Sequence, residues 1–121
     1  MGWLARRTDH DRLRSERVVP LRFAPVEVQI IGRGSLDVLR ARNVSTTGLG
    51  VYVPHGFEGF DLAQEVELVV TLPGRRPFLA RGVIKHLTAS NADTRHFGLE
   101  FTELADRDRD GLLRYVRSRL G

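Results

Sequence analysis

Asn43-Val44-Ser45-Thr46-Thr47-Gly48, followed by Leu49-Gly50-Val51-Tyr52-Val53, is a polar turn that runs into a strictly alternating strand. Each turn residue suits its place for a different reason. Asn tolerates the left-handed region and caps its own turn, Ser bonds back to the backbone, and Gly can take positive φ. Leu49, Val51 and Val53 fall at period two, the spacing of a strand with one buried face. A turn of this kind presents a carboxamide, a hydroxyl and backbone N–H groups on one rim, where a base edge and a phosphate oxygen can be received. The same residues also make an ordinary hairpin turn. By composition alone, Asp/Asn-x-Ser-x-x-Gly turns up in roughly one chain in twenty of this length. Its meaning therefore depends on the flanking sequence.

Outward from the turn, period two continues on both sides. Upstream, Leu21, Phe23, Val26, Val28 and Ile30 alternate around Pro25, which predicts a first strand starting at an edge or bulge. Gly32-Arg33-Gly34 is a hairpin turn, and Leu36 and Val38 return the chain toward Arg42. Downstream, a loop over Pro54 to Asp61 leads to Val66, Leu68 and Val70, and Pro73-Gly74 turns the chain into a strand over Phe78 to Ile84. After a turn at Ser90 to Thr94, Phe97, Leu99 and Phe101 alternate in the last strand. Short strands at such spacing, punctuated by Gly and Pro, predict an all-β barrel of about six antiparallel strands. The tail changes period: Leu104, Leu112, Leu113, Val116 and Leu120 are spaced mainly by three and four, predicting a C-terminal amphipathic α-helix. Asp106 and Asp108 stand near its start and Arg117 and Arg119 near its end, as the helix dipole favours.

One domain's worth of chain is present, 121 residues. With no cysteine, disulfides and thiolate metal sites are excluded. His10, His55, His86 and His96 lack metal-ligand spacing, and there is no GxSxG elbow or phosphate-cradling Gly-Lys loop, so a non-enzymatic role is expected. Lys85 is the only lysine among 19 basic residues. Six arginines (6, 7, 12, 14, 17 and 22) crowd the first 22 residues against Asp9, Asp11 and Glu16, giving that segment +3 of the chain's formal +4. Residues 1–17 lack a sustained apolar period and read as a basic, flexible arm, with residues 18–121 forming the barrel and helix. An anionic partner suits the arm, as does plain solvation. No apolar run is long enough to cross a bilayer, and Met1 to Arg7 lacks the apolar stretch of a secretory signal, so a cytoplasmic location is expected.

Taken in order along the chain, these parts resemble the PilZ domain family. Its members carry a [D/N]xSxxG element at the end of the second strand, here Asn43, Ser45 and Gly48. They place an RxxxR stretch before the first strand and close with Gly-hydrophobic-x-Phe and a short helix. Arg17-Val18-Val19-Pro20-Leu21-Arg22-Phe23 stands at the first of these places and Phe97-Gly98-Leu99-Glu100-Phe101 at the second, so the resemblance runs from about Arg12 to Leu120. Arg17 matches the second arginine of RxxxR. The position of the first holds Leu13, flanked by Arg12 and Arg14.

The resemblance implies a receptor for cyclic di-GMP, a ligand with two phosphates and two guanines. Arg12, Arg14 and Arg17 would close over it from the arm, through guanidinium forks to phosphate or guanine and cation–π contact with the purine. Asn43 and Ser45 would contact the opposite guanine or its phosphate, and Gly48 would shape the turn. Ordering of the arm would relay the signal to an as yet unidentified downstream protein. No cofactor, membrane or nucleic-acid partner is expected. Two alternatives stand beside this reading. One is a PilZ-like protein-interaction module without the nucleotide, kept open by Leu13. The other is a nucleic-acid-binding barrel, against which the scarcity of aromatics argues. Lys85 and His86 end a strand and read as ordinary surface rather than as a border of the pocket, and Trp3 reads as cover for the barrel.

Overall fold

The computed structural model describes residues 16–32, 35–53, 63–89 and 95–120. Six antiparallel strands follow one another: β1 (Glu27–Gly32), β2 (Ser35–Val44), β3 (Gly48–Val53), β4 (Glu65–Thr71), β5 (Phe78–Ala89) and β6 (Arg95–Leu104). They close into a barrel in the order β1-β2-β3-β6-β5-β4. Closure pairs β1 with β4 and leaves neither edge open, which removes the unpaired backbone groups of an open sheet.

Alternation decides what fills the barrel. Val28 and Ile30, Leu49 and Val51, Leu68 and Val70, and Phe97 and Leu99 are buried, while Glu27, Ile31, Tyr52, Glu67 and Glu100 beside them are exposed. Full burial of such a side chain contributes about 1.5–3 kcal/mol, so this interior is the main source of stability. A helix, α1 (Asp106–Leu120), follows β6 directly and buries Gly111, Leu112 and Val116, the last two within the same apolar cluster. Leu104 belongs to the end of β6 rather than to the helix, and Leu120 is exposed.

Two further expectations are corrected. Residues 21–24 form a tight turn, with the Ala24 N–H donating to the Leu21 carbonyl at 3.0 Å, and the first barrel strand begins only at Glu27. Phe23 is consequently 86% exposed instead of inward-facing. β5 also runs on to Ala89, beyond the expected end at Lys85 and His86. The ends of β2, β4 and β6 and the starts of β3 and β5 share one end of the barrel, where α1 packs. The turn at 45–47 is on this rim.

Candidate functional site

The site starts from a break in alternation. Ala41 pairs with Val51 but Asn43 pairs with Gly50, leaving Arg42 as an extra residue in β2. Ala41 and Val44 both point into the core, so strict alternation between them is impossible with two residues intervening. The bulge resolves this by turning Arg42 and Asn43 to the outer face together.

Beside Asn43 the barrel surface is floored by glycine. Register carries the row from Asn43 to Gly50 on β3 and then to Gly98 on β6. Leu49 and Val51, and Phe97 and Leu99, take the inward positions, so both glycines lie on the outer side. A Cβ on Gly50 would stand 2.7 Å from Asn43 Oδ1, so the missing side chain is what leaves room for the carboxamide. Gly48 is glycine for a different reason from the one expected. Its φ is not positive; a Cβ there would overlap the Leu99 carbonyl oxygen, because β6 passes too close.

Ser45 is 1% exposed, and its hydroxyl is used within the turn. The Gly48 and Thr47 N–H groups donate to Ser45 Oγ at 3.1 and 3.2 Å, and Oγ is 3.2 Å from the Gly48 carbonyl as donor. The Ser45 N–H also donates to the Gly48 carbonyl at 2.9 Å, and the Phe101 N–H to the Thr47 carbonyl at 2.9 Å. Ser45 is thus the internal tie of the turn, not a group displayed on it.

The arm reaches this point from residue 16 onward. Val18 and Val44 exchange backbone hydrogen bonds at 2.9 Å in both directions, so the chain joins the end of β2 as a short extra bridge. That contact places Arg17 over Asn43, with Arg17 Nη1 donating to Asn43 Oδ1 at 2.7 Å. Two residues on, Arg119 of α1 donates through Nε and Nη2 to the Val19 carbonyl at 3.0 and 2.8 Å. An open cleft of about 400 Å³ lies at the Gly98 end of this row, lined by Arg17, Thr47, Lys85, Gly98, Leu99 and Glu100. Lys85 and Glu100 form an ion pair across it at 3.5 Å.

Of the expected site residues, Arg17, Asn43, Ser45 and Gly48 are brought together; Arg12 and Arg14, with Leu13, lie outside the described residues. The glycine floor, Lys85 on the cleft wall and the bulge at Arg42 were not anticipated as parts of a site. A signal for the floor existed in sequence: glycine at outward positions of two strands marks places where something approaches the backbone.

The PilZ domain family model matches residues 9–118. The chain belongs to the PilZ domain family. Solved structures with the same fold include the Bacillus subtilis inhibitor of motility MotI/DgrA, 25% identical, with a TM-score of 0.72 over 80% of this chain and 47% of that one. The PilZ domain of YcgR from Escherichia coli with c-di-GMP is 13% identical, with a TM-score of 0.72 over 87% of this chain and 88% of that one. K. pneumonia MrkH reaches a TM-score of 0.76 at 10% identity, over 88% of this chain and 48% of that one. The chain thus spans about half the length of the Bacillus protein and of MrkH, and nearly all of the isolated YcgR domain. No curated protein matches the chain. Among the described residues no helix is long and apolar enough to cross a membrane, and no group of three or more His, Asp or Glu side chains is placed to hold a metal ion.

Proposed function

We propose that this PilZ domain is a cyclic di-GMP receptor without enzymatic activity, which binds the ligand between its basic arm and the glycine-floored face of the barrel. The observation that carries the reading is the Arg17–Asn43 hydrogen bond over that floor. It joins the arm's arginine to the carboxamide of the turn, and the cleft lined by Arg17 and Gly98 has room for a flat purine. In this reading Arg17 grips a phosphate or the O6/N7 edge of guanine, and Asn43, its Oδ1 already engaged, offers Nδ2–H donors. Residues 1–17 act as a basic arm on a barrel-and-helix body of residues 18–121, and Arg12 and Arg14 add guanidinium contacts from the arm. Ser45 and Gly48 serve by holding the turn. Ordering of the arm on the ligand is then read by a downstream protein.

Isothermal titration with cyclic di-GMP tests this. Binding at micromolar concentration or tighter is expected, weakened about 10- to 100-fold in Arg17→Ala, the loss typical of a hydrogen bond to a charged group. Absence of heat and of any thermal shift at saturating ligand would sink the reading and leave the protein-interaction module. Salt-dependent binding of unrelated oligonucleotides, with no preference for the cyclic dinucleotide, would point to a nucleic-acid role.

A further inference from the structure

A second guanidinium flanks Asn43 on the same face. The bulge turns Arg42 outward, and its Nη1 lies 3.1 Å from His96 Nε2 on β6, two residues from Gly98 along that strand. A guanidinium only donates, so Nε2 is the acceptor in this pair, which requires a neutral ring with its proton on Nδ1. The nature of the acceptor distinguishes Arg42 from Arg81 and Lys85. Arg81 is held by Glu65, Glu67 and Glu103, and Lys85 by Glu100, carboxylates that offset their charge. Arg42 rests on an imidazole and Arg17 on a carboxamide, neutral acceptors that orient a guanidinium without offsetting its charge. Two oriented cations therefore bracket Asn43 and the Gly50–Gly98 floor, one supplied by the arm and one by the barrel.

We infer that Arg42 is a further ligand-binding residue, taking the phosphate of cyclic di-GMP remote from Arg17, with His96 as the positioning residue that aims it. The inference rests on the receptor reading above. Its chemistry follows from the ligand: a cyclic dinucleotide carries two phosphates joined by one ring, and two guanidiniums at opposite margins of one floor match that charge distribution. Arg42 is built into a strand of the barrel and so supplies a cation that does not depend on the arm, whose RxxxR pattern has Leu13 in place of its first arginine.

The test is titration of the full chain with cyclic di-GMP, comparing Arg42→Ala, Arg42→Lys, His96→Gln and His96→Leu with the unaltered protein, with thermal melts alongside. Arg42→Ala is expected to weaken binding about tenfold or more, and Arg42→Lys, which keeps the charge and loses the fork, by less. His96→Gln retains an acceptor and should bind near the unaltered level, whereas His96→Leu should lose several-fold. That split separates aiming from mere packing. Unchanged affinity in Arg42→Ala would overturn the inference and leave the receptor reading intact. If that variant fails to fold, unchanged affinity in Arg42→Lys would overturn it equally. Equal losses in both His96 variants would overturn the positioning role. No binding by the unaltered protein would overturn the receptor reading and this inference together.

Discussion

Gly48 and Gly50 sit two residues apart on β3, yet they answer to different constraints. A methyl at Gly48 meets the Leu99 carbonyl, a backbone atom held in the β3–β6 ladder. Gly48→Ala should therefore destabilise the barrel by about 1–3 kcal/mol, the range for overpacking, seen as a lowered Tm. A methyl at Gly50 meets only the end of the Asn43 side chain, which can swing away. Gly50→Ala should melt near the unaltered temperature and bind cyclic di-GMP more weakly, because the displaced carboxamide loses Arg17. Ser45→Ala belongs with Gly48. Removing Oγ takes away the acceptor shared by the Gly48 and Thr47 N–H groups, and urea denaturation should show a loss of about 1–3 kcal/mol. Any loss of ligand affinity in Ser45→Ala would come through the turn.

At the level of elements, the described end of the arm and α1 meet at Val19. Arg119 in the last turn of the helix holds the Val19 carbonyl through two nitrogens, and Arg17 reaches Asn43 two residues earlier. The segment between them is pinned at its middle by the Val18–Val44 bridge. Arg119→Ala releases one of these three ties without touching the cleft. The backbone amides of Val18 and Val19 should then exchange with solvent faster, by about tenfold if the lost contact is worth an ordinary charged hydrogen bond. Unchanged exchange there would mean that the bridge holds the segment by itself.

For the whole molecule, the helix seals one end of the barrel, and Tyr115 on it is the group whose titration reports that seal. Burial raises its pKa above the ordinary value of 10.0, opposed by the positive charge of Arg119, which approaches the hydroxyl without reaching hydrogen-bond geometry. The folded protein thus holds this proton to higher pH than the unfolded chain. The contribution is fully present below about pH 10 and is lost as pH rises through the raised folded value. Tyr115→Phe should flatten the fall in stability above pH 10 in denaturant titrations and leave stability at neutral pH nearly unchanged. By contrast, the Arg81 cluster with Glu65, Glu67 and Glu103 is about half exposed or more throughout. Arg81→Ala should cost less than about 1 kcal/mol, an effect further reduced by salt.

Much of this molecule is legible from local pattern. Period two names the inward residues of the strands, the change to three and four marks the helix, and Asn43, Ser45 and Gly48 announce the turn. These are short-range constraints, carried by residues within a few positions of each other. The first strand was misplaced because Leu21 and Phe23 alternate correctly but face no core: the turn at 21–24 takes them out of the sheet. The burial of the Ser45 hydroxyl is not legible in the sequence because it depends on where the Gly48 and Thr47 amides point once the turn folds. The sequence by itself determined the barrel, its family and the turn that carries the motif. Only the tertiary structure decided which groups around the turn face outward. The glycine floor exists because β2, β3 and β6 are adjacent in a particular register. Arg42 faces outward because the core claims both Ala41 and Val44, and it meets His96 because closure of the barrel sets β3 between β2 and β6.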